Sequence, residues 1–195
     1  MKRVLLLLAN GFEIYEASVF IDVIGWNLID GDGTTELVSC GINKETKSAF
    51  NHRFIVDYLI DEINVSDFDA LAIPGGFESF GFYKEAYDER FLNLIREFKN
   101  QNKIIATICV AALSLGKSGI LNNKNGTTYT TRHDKLREFG VNVINKPIVF
   151  ENNVITSWNP STAVDVALIL LEHLTTKNNA DKIRQLMGFD DKKNN

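Results

Sequence analysis

The sequence has few of the residues that mark disulfide-rich, metal-binding or nucleic-acid-binding proteins. Its 195 residues include only two cysteines, three prolines and three histidines. Cys40 and Cys109 form no Cys-x-x-Cys motif and no Cys/His ligand spacing, which argues against a zinc site or a redox pair of that kind. The net charge is −4, whereas nucleic-acid binders normally carry a basic surplus. We therefore expect no metal, no cofactor and no nucleic-acid partner.

Long hydrophobic runs are also missing. A membrane-spanning helix needs about 18 consecutive apolar residues, and no stretch approaches that length. The apolar start, Val4–Ala9, is short and soon meets Asn10, Gly11 and Glu13, so it does not fit a secretory signal peptide. We expect a cytoplasmic protein with no membrane association.

The composition is that of a folded globular chain, with 45% hydrophobic and 24% charged residues. A chain of this length can bury one sizeable core. No repeat, low-complexity block or linker divides it. We expect one domain over residues 1–189 and a frayed tail over residues 190–195.

Strand-like and helix-like segments alternate along the chain. Alternation of this kind indicates an α/β fold with a mostly parallel sheet and helices on both faces. The predicted strands are Val4–Ala9, Glu36–Gly41, Phe54–Asp57, Ala70–Ile73 and Lys103–Ile108, followed by a hairpin of Val149-Phe150 and Val154–Thr156 around Asn152-Asn153. The predicted helices are Tyr15–Ile29, Asp88–Asn100, Val110–Lys117 and Ala163–Leu174, the last with Ser161 as its N-cap.

Three segments at the carboxyl ends of these strands contain the candidate chemistry, because ligand sites of such sheets lie at that edge. They are Asn10–Glu16, Pro74–Glu78 and Ile108–Ala112. Cys109 lies between a buried strand and a helix with no glycine nearby, which predicts a sharp turn like a nucleophile elbow. The helix N-terminus would lower the pKa of its thiol. The alternative is an unreactive core cysteine.

The other two segments supply backbone amides and acids. Gly75 and Gly76 can present N–H groups to an oxyanion, or they simply end a strand. Glu13 and Glu16 lie one helical turn apart. Either they complement the helix dipole, or one of them shares a proton with the thiol and donates a hydrogen bond to the thiolate.

These segments, in this order, resemble the DJ-1/PfpI (ThiJ-like) superfamily, which is related to class I glutamine amidotransferase domains. The resemblance runs from about Lys2 to Leu174 and also includes Thr156–Ala163. It implies a flavodoxin-like three-layer sandwich and a homodimer. Carried over by position, it implies that Cys109 is the nucleophile and that Glu16, rather than Glu13, hydrogen-bonds its sulfur.

The same resemblance implies an oxyanion site formed by Gly75, Gly76 and Val110, with Tyr129 and Asn159 as candidate accessory residues. Two positions depart from the family pattern. Peptidase-type members have histidine where this chain has Val110, and many members have Thr-Thr-His where it has Thr127-Thr128-Tyr129. A Cys–His couple is therefore missing at both expected places, unless His133 folds back.

Four functions stay open on these residues. The first is an enzyme in which Cys109 adds to small reactive carbonyls, as in the glyoxalase or deglycase activity of parts of the family. The amides of Gly75, Gly76 and Val110 would hold the alkoxide, and Glu16 would shuttle the proton. The second is an oxidative-stress sensor or chaperone-like protein with an oxidisable Cys109. The third is a hydrolase of amides, peptides or isocyanide-like substrates, which lacks a histidine proton donor here. The fourth is a binding module that kept the fold.

The remaining cysteine and histidines have no part in these schemes. We predict that Cys40 is structural and that His52 and His173 are surface or structural residues. The first predicted helix is apolar on more than one face, with Phe20, Ile24 and Trp26 beside its core residues. This pattern is compatible with a homodimer, and equally with a fully buried helix.

Overall fold

The computed structural model describes residues 1–189, and the predicted tail at 190–195 lies outside them. The strands are β1 (Lys2–Leu8), β2 (Thr35–Gly41), β3 (Glu45–Lys47), β4 (Arg53–Ile55), β5 (Tyr58–Leu59), β6 (Ala70–Ile73), β7 (Ile104–Thr107), β8 (Asn125–Gly126), β9 (Asn142–Val143), β10 (Ile148–Glu151) and β11 (Val154–Ser157). The helices are α1 (Ile14–Asp30), α2 (Phe82–Ala86), α3 (Glu89–Asn100), α4 (Ala112–Ser118), α5 (His133–Glu138), α6 (Ala163–Leu174) and α7 (Lys177–Leu186).

A seven-stranded sheet in the order β10-β11-β7-β6-β1-β2-β5 organises the fold. All of its pairings are parallel except that of β10 with β11. Residues 4–8 of β1 and all of β6 are buried, as continuous apolar runs in a covered parallel sheet should be. The predicted α/β sandwich with a mostly parallel sheet is confirmed.

The helices pack as two groups. Helices α1, α6 and α7 contact one another, and α4 contacts both α3 and α5. The crossover from β1 to β2 runs toward one sheet edge and that from β6 to β7 toward the other. Right-handed crossovers in opposite directions put their helices on opposite faces. Within residues 1–189, no helix combines the length and apolar character needed to cross a bilayer.

The hairpin prediction is confirmed. Asn152 and Asn153 connect β10 to β11 with φ values of 51° and 63°, the left-handed conformations that a tight two-residue turn requires and that asparagine tolerates. The prediction of α3 is also confirmed, and the Asp88 side chain caps it by accepting from the N–H of Arg90 at 2.9 Å.

The strand predicted at Phe54–Asp57 forms in part, as β4. It lies outside the central sheet: β4 pairs with β3 in a separate ribbon, and the sheet edge is formed by β5. Between β4 and β5, the carboxylate of Asp57 accepts from the N–H of Ser39 at 2.8 Å and from its hydroxyl at 2.7 Å. Ser161 is not an N-cap. Asn159 caps the preceding turn by accepting from the N–H of Ser161 at 3.2 Å.

Candidate active site

Cys109 lies on the sharp turn that its sequence position predicts. Cys109 is the first residue of a 3-10 turn that lies between β7 and α4. Its φ is 56°. A left-handed conformation is unfavourable for a residue with a side chain, so the surroundings must hold it in place. One such contact is the hydroxyl of Thr128, which donates to the carbonyl oxygen of Cys109 at 2.8 Å. The residue itself is buried, with 8% exposure.

Glu16 reaches this turn from the first turn of α1, and its side chain is fully buried. Its Oε2 accepts from the N–H of Gly75 at 2.7 Å. Its Oε1 is buried and makes no hydrogen bond of ordinary geometry within residues 1–189. The carboxyl group nevertheless lies close enough to the thiol of Cys109 for each group to influence the other's pKa. The structure thus brings together the two predicted catalytic residues.

Burial controls the protonation of this pair. It raises the pKa of Glu16 to about 8, with a further increase from the charge of Glu13 and a partial offset by the N–H of Gly75 and the thiol. Burial also raises the pKa of Cys109, as do the charges of Glu16 and Glu13, against the hydrogen bond from the N–H of Val110. The predicted lowering of this pKa is therefore wrong, because burial and the nearby carboxylates outweigh the hydrogen bond from the N–H of Val110. A neutral Glu16 no longer repels a thiolate and can donate to it.

The two glycines have different surroundings. The N–H of Gly75 points to Glu16, so the expectation that it helps to bind an oxyanion is not met. The N–H of Gly76 has no hydrogen-bond partner in the described part of the chain. Neither glycine has a positive φ, so close packing is the reason for glycine here. A Cβ at Gly75 would lie 2.9 Å from both the Cβ of Cys109 and Oε2 of Glu16.

Main-chain hydrogen bonds join the loops that follow β1 and β6. The N–H of Glu13 donates to the carbonyl of Gly75 at 2.8 Å, and the N–H of Phe77 donates to that of Gly11 at 2.9 Å. A Cβ at Gly76 would collide with the carbonyl oxygen of Gly11. The two loops therefore hold each other in place and carry Glu16 and the glycines with them.

A cavity of about 310 Å³ opens beside the thiol. Its lining includes the predicted residues Cys109, Val110, Gly76 and Tyr129, and it does not include Glu16, Gly75 or Asn159. The side-chain oxygen of Asn159 is occupied by the N–H and hydroxyl of Ser161. The other lining residues are Glu13, Phe77, Glu78, Tyr83, Thr131, Arg132 and Pro160.

Sequence reasoning missed several of these lining residues. Tyr83 lies on the short helix α2, and Arg132 follows Tyr129 and pairs with Glu78 at 3.3 Å. The one available indication was their position shortly after the Gly75-Gly76 and Thr128-Tyr129 segments. Loops after strand ends face the ligand side of such sheets.

The histidines do not take part in the cavity. Nε2 of His133 lies 3.1 Å from the carbonyl oxygen of Thr128, and the ring is absent from the cavity lining. His52 and His173 are exposed, as predicted, and His173 stacks on Phe150 with ring centroids 4.4 Å apart. No Cys–His couple forms among the residues described.

The other cysteine is structural. Cys40 is fully buried in β2, and burial raises the pKa of its thiol. Metal chemistry has no donor set either: no group of three or more His, Cys, Asp or Glu within residues 1–189 could hold a metal ion.

Comparison with known proteins now gives the family. The sequence model of the DJ-1/PfpI family matches residues 2–173. The chain belongs to the DJ-1/PfpI family. The solved structure of DJ-1beta from Drosophila melanogaster is similar, with a TM-score of 0.84 and 26% identity over 95% of this chain and 97% of that one.

The match covers nearly all of one curated relative and less than half of another. Deglycase PfpI from Pyrococcus furiosus is 26% identical over 81% of this chain and 90% of its own length. Protein DJ-1 homolog A from Arabidopsis thaliana is 26% identical over 95% of this chain. The match spans less than half of that plant protein, 46% of its length. The resemblance and the flavodoxin-like fold expected from the sequence are both confirmed.

Proposed function

We propose that this protein is an enzyme acting on small reactive carbonyl compounds, such as 2-oxoaldehydes, with Cys109 as the nucleophile and Glu16 as its positioning residue. One observation carries the proposal: Cys109 lies on a strained turn, lines a small cavity and has a buried carboxyl group beside it. The similarity to a relative named deglycase supports the same chemical class.

The reactive form of the pair has one proton, on Glu16, and a negative charge on Sγ of Cys109. In the first step, Sγ bonds to the aldehyde carbon and the electron pair of the C=O bond moves onto oxygen. We infer that the N–H groups of Gly76 and Val110 stabilise this alkoxide. Water supplies the proton that completes the hemithioacetal.

The hydrolase alternative has less support. Amide cleavage needs a proton donor for the leaving amine, and the lining residues contain no histidine. Tyr129 and Tyr83 offer only hydroxyl groups. The sensor alternative needs the same Cys109 thiolate as the carbonyl reaction, because peroxide attacks the thiolate, so turnover is what distinguishes the two.

The test compares the wild type with Cys109→Ser. We expect methylglyoxal consumption to fall at least about 100-fold in the variant, as loss of a nucleophile requires. Alkylation should be faster at Cys109, which lines the cavity, than at the fully buried Cys40, which stays unmodified and serves as the internal reference. Equal consumption by both proteins would overturn the proposal. Sulfinate formation at Cys109 without turnover would favour the sensor.

We also propose a homodimer that buries the outer face of α1. Ile21 is 44% exposed and Ile29 is 78% exposed. Gly25 lies between them, with nothing within 4 Å of where a Cβ would be, so a second helix can approach the backbone closely. Sedimentation should give a dimer for the wild type and a monomer for Ile29→Glu. A monomeric wild type would refute the assembly.

A further inference from the structure

Two carboxyl groups lie near the Cys109 thiol, and only one of them belongs to a cavity-lining residue. Glu16 is fully buried behind the thiol and accepts a hydrogen bond from Gly75. Glu13 is half-buried and lines the cavity. Its carboxylate makes no hydrogen bond or ion pair with any residue between 1 and 189. It is near enough that its charge raises the pKa of Cys109.

The proposed reaction needs a base that can remove a proton from a carbon atom of the bound substrate. After the thiolate has added to a 2-oxoaldehyde, the proton on C1 of the hemithioacetal must leave, and C2 must gain one. The product is then a thioester of the 2-hydroxy acid, which water cleaves to the acid and the free thiol. Glu16 is fully buried and does not line the cavity, whereas Glu13 does, so Glu13 is the carboxylate that faces a substrate from the cavity side.

The other lining groups are less suited to this step. The carboxylate of Glu78 is paired with Arg132 at 3.3 Å. Burial raises the pKa of Tyr83 to about 12, so its phenolate is scarce near neutral pH. Glu13 is the lining carboxylate that has no cationic partner within the described residues.

We propose that Glu13 is a catalytic residue that removes the proton from C1 of the hemithioacetal and returns it to C2. The C1–H electron pair forms the enediol double bond, and the C2 carbonyl oxygen takes a proton from water and becomes a hydroxyl. The C1 hydroxyl then gives its proton back to water and becomes the thioester carbonyl as Glu13 protonates C2. No oxidant or reductant is consumed. This inference rests on the proposed function and adds Glu13 to it as a second catalytic carboxylate.

Burial raises the pKa of Glu13, which makes its carboxylate a stronger base. The charged and titratable groups around it are Cys109, Glu16, Glu78, Arg132 and Tyr83. The charge of Glu13 opposes ionisation of Cys109. Its removal should therefore help the thiolate to form while it stops turnover, and a merely structural residue would not produce that opposite pair of effects.

The experiment measures turnover and thiol reactivity in the same variants. We expect Glu13→Gln to lower kcat for methylglyoxal by about 10²-fold or more, the range for loss of a general base. Iodoacetamide should alkylate its Cys109 at least as fast as in the wild type at pH 7. The control is Glu97→Gln, which makes the same charge change at an exposed site on α3 and should leave kcat unchanged. Formate should partly restore turnover to Glu13→Ala.

The outcomes separate the two proposals. If the wild type consumes methylglyoxal and Glu13→Gln keeps kcat within about threefold, the role of Glu13 is refuted and the proposed function stands. Parallel losses of turnover and alkylation in Glu13→Gln would also refute it, because Glu13 would then act through Cys109. A wild type no faster than Cys109→Ser would overturn the proposed function, and the role of Glu13 with it.

Discussion

Replacing Glu16 by glutamine should change how the stability of the protein depends on pH. The carboxyl group is fully enclosed, and burial raises its pKa from 4.5 to about 8. Between these values the folded protein keeps a proton on Glu16 that the unfolded chain has released. The free energy of unfolding therefore falls with rising pH across this interval. Glutamine has almost the same shape and does not titrate.

The size of the effect follows from linkage. Each pH unit between 4.5 and 8 should lower the wild-type free energy of unfolding by about 1.4 kcal/mol through Glu16. The stability that the raised pKa provides is fully present below pH 4.5 and is lost by about pH 8. Between pH 4.5 and 8, the free energy of unfolding of Glu16→Gln should therefore rise by roughly 4–5 kcal/mol relative to that of the wild type. Other titrating groups largely cancel in this difference.

Urea unfolding followed by tryptophan fluorescence at pH 5, 6, 7 and 8 measures the difference directly. Glu97→Gln serves as the control and should track the wild type, because its side chain is exposed. If the gap between Glu16→Gln and the wild type stays constant within about 0.5 kcal/mol, Glu16 ionises normally in the folded protein. The protonated carboxyl in the proposed mechanism would then be refuted.

Three further predictions concern packing, thiol burial and the elbow. Gly76→Ala should destabilise the fold by about 1–3 kcal/mol, measured as a lower urea midpoint, because no space exists for a Cβ. Cys40 should resist iodoacetamide at pH 8 in native protein and react in 8 M urea; native labelling would contradict its burial. Thr128→Val should lower the free energy of unfolding by about 1–3 kcal/mol by removing the donor to the Cys109 carbonyl; an unchanged urea midpoint would show that the elbow does not need it.

The parts of the fold that hydrophobic pattern determines were predictable. The apolar runs of β1 and β6 and the helical spacing of α1 and α3 each gave the element and its burial. The edge of the sheet was not predictable in this way. Residues 53–55 pair with β3 rather than with β2, and residues 58–59 take the edge position beside β2; both pairings join separate segments, which no local pattern specifies.

Some features of the candidate site were likewise predictable from the sequence, and others were not. The position of Cys109 between strand and helix predicted its turn, and the family motifs pointed to Glu16. The direction of the pKa shift could not be read from the chain, because it depends on how completely loops from elsewhere bury the thiol. The use of the Gly75 N–H by Glu16 likewise depends on the orientation of one peptide group. Lining residues such as Arg132 depend on loop paths that no local pattern specifies.

The distribution of the site along the chain has a consequence for folding. Glu16 and Gly75 are 59 positions apart in sequence, and Cys109 comes later still. Long-range contacts of this kind form late, after loop closure over large separations. Until they form, Cys109 is an ordinary thiol with a pKa near 8.5. Its rate of modification during refolding should therefore report when the three strand ends meet, and a truncated or stalled chain should expose a thiol that the native protein protects.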